Sequence, residues 1–287
     1  MMAAIVFAPY VFLYLSATVD PGFITPETHA FHMSLYPYDH MNFHPAVPCT
    51  TCKNFKPARS KHCSICKRCV SRNDHHCIFI NACVGYGNMH WFILLLFSTA
   101  VLTTAGAYFG INQAVVEIQK TYPYFTFLGK GWSWTDYGHF WVFGLNRYPA
   151  VAGVSLLCAL CTPLVVVLFL YNMYQAWAGI TTNESGKWDD TKLDIADGFL
   201  FRRRIDKLRR RHSNVEPYVK WPLEPENVAL SRESWPMEEE PELAGRGVGP
   251  WSIVESIHEL VNIYDIGFGN NLKDIFGRRA PRKPAMS

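Results

Sequence analysis

The chain has 287 residues, of which 49% are hydrophobic, 15% aromatic and 18% charged, with a formal net charge of +3. The charged fraction is low against the roughly 25% of typical soluble domains. This composition excludes a disordered chain, a collagen-like fibre and a small secreted disulfide scaffold. It leaves a membrane protein with polar cytosolic segments, or a soluble enzyme with unusual apolar stretches.

Three apolar segments are candidates for membrane spans, because a spanning helix needs about 20 mostly apolar residues. Residues 1–19, 91–111 and 150–178 contain no charged side chain. Buried helices of a soluble protein are the alternative, but charge-free runs of this length disfavour it. Residues 1–19 could also be a cleaved signal peptide, yet they lack the basic residue that usually opens one. We therefore predict a polytopic α-helical membrane protein with about three transmembrane helices.

The distribution of basic residues predicts the orientation of these spans. The 27 Lys and Arg residues divide as 7 in residues 20–90, 3 in residues 112–149 and 17 after residue 178. Loops rich in Lys and Arg remain in the cytosol. We therefore predict three cytosolic segments: a linker at residues 20–48, a domain at residues 49–90 and a tail at residues 179–287. Residues 112–149 are predicted to be a lumenal loop.

The cysteines indicate metal binding rather than disulfides. There are nine of them, an odd number, and seven lie between Cys49 and Cys83. Such a cluster is typical of metal ligation in a reducing compartment, which agrees with a cytosolic location. The cluster reads Cys49-x2-Cys52, His62-Cys63-x2-Cys66-x2-Cys69, Asp74-His75-His76-Cys77 and Cys83.

The number of ligands in the cluster leaves two side chains over. Seven Cys and three His make ten potential ligands. Two closed tetrahedral sites of the Cys3His type use eight of them. One thiol and one imidazole remain, which is the arrangement of an activated cysteine nucleophile. The count does not say which pair is left over, although the run Asp74–Cys77 suggests it.

The predicted cytosolic tail has three further features. Its first part carries a basic run that favours anionic lipid headgroups or a polyphosphate ligand over nucleic acid. The run contains Arg202, Arg203, Arg204, Lys207, Arg209, Arg210 and Arg211. Residues 222–250 are rich in Pro, Glu and Gly and predict a flexible connector. A short amphipathic helix is predicted at Trp251–Tyr264, with Ile253, Ile257, Leu260 and Val261 on one side.

Taken together, these motifs resemble the cysteine-rich domain of the DHHC protein S-acyltransferases, or palmitoyltransferases. The resemblance rests on Lys56–Cys63, Asp74-His75-His76-Cys77, Asn81, Cys83 and Gly85. It is extended by Asp20-Pro21-Gly22, Thr181-Thr182-Asn183-Glu184, and Asn262–Gly267 with Asn271. Each short motif is weak alone, but their order and their positions beside the predicted spans are specific.

The resemblance implies two structural zinc ions and three catalytic residues. One zinc would be held by Cys49, Cys52, His62 and Cys69, and the other by Cys63, Cys66, His76 and Cys83. Cys77 would then be the nucleophile, His75 its base, and Asp74 the residue that orients His75. The implied reaction moves an acyl group from palmitoyl-CoA to Cys77, and then to juxtamembrane cysteines of membrane-associated or single-span proteins. Candidate partners of the CoA phosphates are Lys53, Arg59, Lys67, Arg68 and the basic run 202–211.

Several features depart from the family pattern. Ile78 and Phe79 stand where the family usually has Pro-Trp, and Ala82 replaces a second Asn. The family usually has at least four spans, so we expect one to be missing upstream. The Cys-Ile-Phe variant and the compact tail resemble a fungal branch that acylates SNAREs in the endoplasmic reticulum, with the Golgi as the second choice of location. Thr181, Thr182 and Asn271 are expected to pack near the active site and the end of the last span.

Two other functions fit parts of this sequence. A non-catalytic zinc-bearing membrane adaptor would explain the ligands but not the leftover Cys and His. A transporter would need ionisable residues inside its spans, and residues 91–111 and 150–178 have none. Acyl transfer is therefore the predicted function.

Overall fold

The computed structural model describes residues 2–127, 131–206, 211–231 and 247–277, and the chain divides into two compact units. The helical unit consists of Met1–Tyr14 and Phe92–Asn172. The mixed unit consists of Leu15–Trp91 and Met173–Ser287, and it contains the strands as well as short helices. Each unit thus joins segments that are distant in sequence.

The predicted spans are helical. Helix α1 is Met2–Thr18, α3 is Met89–Thr121 and α5 is Pro149–Trp177. Within the described residues, α3 and α5 are long and apolar enough to cross a membrane, whereas α1 is a shorter apolar helix of 17 residues. Pro163 lies inside α5 without ending it. That all three helices cross a bilayer remains a prediction.

Residues 112–149, predicted to be a lumenal loop, are largely helical in their described part, and their location in the lumen stays a prediction. Helix α3 continues to Thr121, and α4 covers Trp134–Arg147. Ile118 near the end of α3 packs against Phe125 and Phe140, in a cluster of aromatic side chains. These contacts bury an apolar face beyond the uncharged run, and they extend the helix further than hydropathy indicates.

Two glycines allow α3 and α5 to pack closely. A methyl group at Gly106 would lie 2.8 Å from the Cys158 sulfur, and one at Gly110 would overlap the Ser155 side chain. Small residues four positions apart are a common way for membrane helices to approach each other. The close packing of α3 against α5 therefore requires glycine at these two positions.

Gly110→Ala should lower the thermal unfolding midpoint of the purified protein, because overpacking a close contact costs about 1–3 kcal/mol. Gly153→Ala in the same helical unit is the matched control, since a methyl group there meets nothing within 4 Å. Thermal unfolding in detergent, followed by intrinsic fluorescence, measures both. Equal midpoints for the two variants would contradict this packing of α3 against α5.

In the mixed unit, two small hairpins follow helix α2 (Pro26–Met33). Strands β1 (Lys61–Cys63) and β2 (Arg68–Val70) form the first, and β3 (His75–Cys77) and β4 (Ala82–Val84) form the second. The Asp20-Pro21-Gly22 turn lies against them: Gly87 donates a hydrogen bond to the Pro21 carbonyl, and Ser71 donates one to the Gly22 carbonyl. Gly22 has a φ of +99°, a conformation that glycine adopts readily.

A third sheet lies in the tail, where the sequence predicted a connector and a helix. After α6 (Thr182–Ala196), strands β5 (Leu200–Arg204), β6 (Asn227–Ser231) and β7 (Val248–Ile253) form a sheet in the order β6-β5-β7. Residues 222–250 are thus partly strand in their described part, and residues 232–246 lie outside the described residues.

The prediction of a helix at Trp251–Tyr264 was wrong. The segment completes β7 and continues as a 3-10 turn at Ile257–Glu259. Two residues of the predicted apolar side, Ile253 and Val261, are exposed. Leu260 and Val254 pack instead against Leu200 of β5. The amphipathic helix of the tail is α7 (Phe268–Phe276), which buries Asn271 and Ile275.

Candidate functional site

The two sets of side chains implied for zinc each converge in the structure. Within each set, the ligand atoms all lie within 4.8 Å of one another. In the first, His62 Nδ1 lies 3.5 Å from Cys49 Sγ, 3.4 Å from Cys52 Sγ and 3.8 Å from Cys69 Sγ. In the second, His76 Nδ1 lies 3.6 Å from Cys63 Sγ, 3.4 Å from Cys66 Sγ and 3.6 Å from Cys83 Sγ.

These distances fit a tetrahedral metal ion. With bonds of about 2.3 Å to sulfur and about 2.0 Å to nitrogen, a tetrahedral zinc site separates sulfur from nitrogen by about 3.5 Å and two sulfurs by about 3.8 Å. Cys66 Sγ and Cys83 Sγ are 3.5 Å apart. Both clusters can therefore bind a metal ion, and all four positions of each site would be filled by protein.

Cys77 and His75 belong to neither cluster. Side chains of a strand alternate between its two faces, so within β3 His75 and Cys77 share one face while His76 points the other way. His75 Nδ1 lies 2.6 Å from Asp74 Oδ2, and the His75 ring is hydrogen-bonded to the Cys77 thiol. The structure thus brings together the three residues predicted to be catalytic.

The electrostatics of this pair favour an ionised thiol. Burial alone lowers the pKa of His75, but the hydrogen bonds to Asp74 and Cys77 outweigh it and raise that pKa to about 9. Burial alone raises the pKa of Cys77, but the hydrogen bond from His75 and those from the backbone of Ile80 and Phe79 lower it. Both shifts favour a thiolate beside an imidazolium over the neutral pair, and the thiolate is the nucleophilic form of cysteine.

Asp74 is held in place by the segment that begins α6. The Thr182 backbone N–H donates to Asp74 Oδ1, and the Thr182 hydroxyl donates to Asp74 Oδ2, each at 2.8 Å. Thr181 donates its hydroxyl to the Asn73 carbonyl at 3.0 Å. The predicted proximity of Thr181 and Thr182 to this site is confirmed.

The sequence did not predict the partner of Thr182. Gln175, which is 1% exposed near the end of α5, places its side-chain nitrogen 3.2 Å from the Thr182 hydroxyl. The amide therefore positions the hydroxyl that contacts Asp74. No local pattern marks Gln175, since it lies seven residues from Thr182 and within an apolar helix.

Thr182→Val should slow acylation of Cys77 about tenfold or more, because a hydrogen bond to a charged group contributes about 1.5–3 kcal/mol. Thr182→Ser keeps the hydroxyl and is the control. Both variants should retain two metal ions, and single-turnover labelling measures the rate. A wild-type rate in Thr182→Val would mean that the hydroxyl does not orient Asp74.

Arg59 is structural, which corrects its proposed role as a CoA contact. Its side chain is 1% exposed and forms two hydrogen bonds of 2.6 Å with the Glu184 carboxylate. Its guanidinium also lies over the rings of Tyr36 and Tyr264. Arg59 therefore joins the cysteine-rich segment to the start of α6 and to the tail.

The tail motif contacts the end of α5 through two asparagines. Asn271 donates to the Trp177 carbonyl at 3.1 Å, and Asn262 donates to the Ala178 carbonyl at 3.0 Å. Helix ends leave carbonyls without intrahelical partners. The structure therefore places Asn271 at the end of α5, the helix predicted to be the last span.

The mixed unit contains a basic pocket of about 460 Å³. Lys56, Lys61 and Lys187 line it, together with one carboxylate, that of Asp190. Burial lowers the pKa of Lys187, and the nearby Lys56 and Lys61 lower it further against the opposing effect of Asp39. The pocket thus carries an excess of positive charge. The earlier candidates Lys53, Lys67 and Arg68 do not line it.

The basic run 202–211 is only partly described. Arg202 forms an ion pair with Glu259, and Arg203 lies over the Trp251 ring at 4.4 Å. These two residues are thereby engaged with β7 and the turn after it. Lys207, Arg209 and Arg210 lie outside the described residues.

The helical unit has an open apolar groove of about 640 Å³. It is lined by residues of α1, α3 and α5, among them Met2, Ile5, Phe97, Val101, Val166 and Phe169. Its volume lies within the range of about 300–1,000 Å³ that is usual for ligand pockets. Its lining suits an apolar chain.

Comparison with known proteins identifies the family. The DHHC palmitoyltransferase family matches residues 42–189. Palmitoyltransferase SWF1 of Neurospora crassa is 44% identical, over 94% of this chain and 66% of that protein. Palmitoyltransferase swf1 of Aspergillus fumigatus is 37% identical, over 95% of this chain and 76% of that protein. The chain thus spans about two thirds to three quarters of these relatives. As its Asp-His-His-Cys run predicted, the chain belongs to the DHHC palmitoyltransferase family.

Proposed function

We propose that this chain is a membrane-embedded protein S-palmitoyltransferase that carries the acyl group on Cys77. The observation that supports it most is the hydrogen-bonded set Asp74–His75–Cys77, which stands outside both metal clusters. A thiol beside an imidazole that is oriented by a carboxylate is the arrangement of a covalent catalyst.

The reaction would proceed in two balanced steps. His75 takes the proton of Cys77, and the thiolate attacks the thioester carbonyl of an acyl-CoA. The carbon–sulfur bond to CoA breaks, and the leaving sulfur takes the proton from His75. In the second step, His75 accepts the proton of a substrate cysteine, whose thiolate attacks the acyl carbonyl carried on Cys77. The carbon–sulfur bond to Cys77 breaks, and the Cys77 sulfur takes the proton back from His75. A thioester replaces a thioester each time, so positioning and thiolate formation account for the catalysis.

The metal ions would be two structural zinc ions, held by the Cys3His sets that contain His62 and His76. Zinc in such a site stabilises the fold and has no open position for substrate. The distances between the ligand atoms support this assignment. The chemistry of acyl transfer is left to Cys77, His75 and Asp74.

The basic pocket lined by Lys56, Lys61 and Lys187 would bind the phosphates of CoA, because several ammonium groups converge there with one carboxylate. The open apolar groove of the helical unit has a lining that suits a fatty acyl chain. Burial of each methylene contributes about 0.8 kcal/mol, which would favour a long chain such as palmitoyl.

Lys61→Glu should raise the KM for palmitoyl-CoA roughly tenfold, which corresponds to about 1.4 kcal/mol. Lys67→Glu is the control, because Lys67 lies outside the basic pocket. The same assay with palmitoyl-pantetheine, which lacks the CoA phosphates, should show no difference between the two variants. If Lys61→Glu impaired both donors equally, the pocket would not be a phosphate site.

The proposed membrane arrangement and substrates rest on the sequence. Three spans would leave residues 49–90 and the tail in the cytosol and residues 112–149 in the lumen. A nucleophile at the membrane face reaches cysteines close to that face, so juxtamembrane cysteines of membrane-associated or single-span proteins, SNAREs among them, are the proposed substrates. The endoplasmic reticulum is the proposed location, and the Golgi is the second choice.

The decisive experiment incubates the purified full chain with labelled palmitoyl-CoA. A transferase acquires label that hydroxylamine releases, since hydroxylamine cleaves thioesters, and it passes the label to a peptide with a membrane-anchored cysteine. A protein that binds two zinc ions but acquires no label would instead be the non-catalytic zinc-bearing adaptor.

A further inference from the structure

Three segments of eight residues follow one pattern that repeats every 14 residues. They are residues 48–55, 62–69 and 76–83. In each, a Cys stands at the second position, at Cys49, Cys63 and Cys77. The fifth position holds Cys52, Cys66 and Ile80. The first and last positions hold Pro48 and Phe55, then His62 and Cys69, then His76 and Cys83.

The backbone repeats in the same register. The first and last positions of each segment are paired across an antiparallel bridge: Pro48 with Phe55, His62 with Cys69, and His76 with Cys83. The residue after the fifth position has a positive φ in all three, of 58° at Lys53, 55° at Lys67 and 49° at Asn81. Left-handed backbone is uncommon outside glycine, so three occurrences at one position indicate a shared turn.

The sulfur at the second position accepts a hydrogen bond from the backbone N–H of the fifth residue in the first two copies. Cys49 Sγ accepts from the Cys52 N–H at 3.4 Å, and Cys63 Sγ accepts from the Cys66 N–H at 3.3 Å. In the third copy, hydrogen bonding by the corresponding backbone groups, those of Phe79 and Ile80, lowers the pKa of Cys77. The turn therefore holds the Cys77 sulfur as it holds a metal ligand.

Each metal cluster draws on two consecutive copies. It takes the two cysteines of one copy and the paired His and Cys of the next. The third copy has no successor, because helix α3 begins at Met89 soon after it. Its fifth position is Ile80, whose side chain is buried at 7% exposure and offers no ligand.

We propose that these segments are three copies of one metal-binding hairpin, and that Cys77 is the cysteine of the last copy, kept free of metal by Ile80. Ile80 is thus a positioning residue: it preserves the turn that holds the sulfur and removes the second ligand. This role rests on the proposed function of Cys77, whereas the geometry of the turn does not.

The test uses two variants of the full chain, each with one new thiol in the turn that holds Cys77. In Ile80→Cys the new sulfur should converge with that of Cys77, as Cys66 does with Cys63. A trivalent arylarsine oxide bonds two neighbouring thiols and releases one water. It should therefore bridge residues 77 and 80 at near-equimolar reagent. Phe79 is 89% exposed, so the thiol of Phe79→Cys should point away and give no bridge.

Peptide mass spectrometry reads the bridge without any need for activity. Ile80→Cys should gain the adduct and lose acylation until a dithiol removes the reagent, while Ile80→Ser and the unmodified chain should gain none. Capture in Ile80→Cys without any acylation of the unmodified chain would remove the proposed function and leave the repeat intact. Equal capture in Ile80→Cys and Phe79→Cys would overturn the repeat.

A second pair of variants applies if Ile80→Cys loses its metal ions. Asn81→Gly suits the positive φ and should acylate within about twofold of the unmodified chain, whereas Asn81→Ala should be at least threefold slower with both metals bound. Equal rates for these two variants would contradict the shared turn.

Discussion

Cys77→Ser should abolish the covalent acyl-enzyme and leave both metal clusters filled. The thiol of Cys77 lies in neither cluster, and its hydrogen bond to His75 lowers its pKa. A serine hydroxyl is not ionised by the same imidazole in this way, because the pKa of an alcohol lies far above that of a thiol. Hydroxylamine-sensitive label should fall below detection, while metal analysis still gives two equivalents.

Cys63→Ser is the matched control for this result. Cys63 occupies the same position of its hairpin turn as Cys77, but it belongs to the second metal cluster. Its replacement should release one metal ion and lower the thermal unfolding midpoint, because structural metal binding is coupled to folding. A loss of metal in Cys77→Ser would mean that Cys77 is a ligand and that the division into two sets is wrong.

The cysteine-rich segment was largely predictable because its constraints are local. Two cysteines three residues apart approach one ion whatever surrounds them, and the resemblance to the family then assigned the remaining ligands. The alternation of β3 explains why His75 and His76 face opposite ways. The long uncharged runs likewise predicted α3 and α5, because covering a backbone in an apolar medium requires a helix.

The tail was less predictable because its structure depends on distant partners. The spacing of Ile253, Ile257 and Leu260 is helical, yet β7 pairs with β5, about fifty residues away. Burial of Val254 against Leu200 outweighs the local pattern. A period of three to four residues records only which side chains are apolar, and it cannot anticipate a strand that completes a sheet.

The same limit applies to the site. Arg59 is basic and near the cysteines, so composition alone suggested a phosphate contact. Its pairing with Glu184, 125 residues away, shows a structural role. Lys187 and Gln175 contribute through partners that are distant or in another element. Lys187 lines the basic pocket with Lys56 and Lys61, and Gln175 contacts the Thr182 hydroxyl that supports Asp74.

Two adjacent histidines should show opposite phenotypes. His75→Ala should slow acylation of Cys77 by a factor on the order of 10²–10⁴, which is typical for removal of a general base. Both metal ions should remain bound, because His75 contacts Asp74 rather than the second cluster. The pH profile of acylation should also move to higher pH, since the hydrogen bond from His75 is what lowers the pKa of Cys77 most.

His76→Ala should instead release one metal ion and weaken the fold. His76 Nδ1 lies within 3.6 Å of the sulfurs of Cys63, Cys66 and Cys83, so its removal opens the tetrahedral set. Metal content and single-turnover acylation, measured on the same preparations, separate the two roles. The opposite result, with metal released by His75→Ala and retained by His76→Ala, would mean that the side chains of β3 point the other way. His75 would then be the metal ligand and His76 the base.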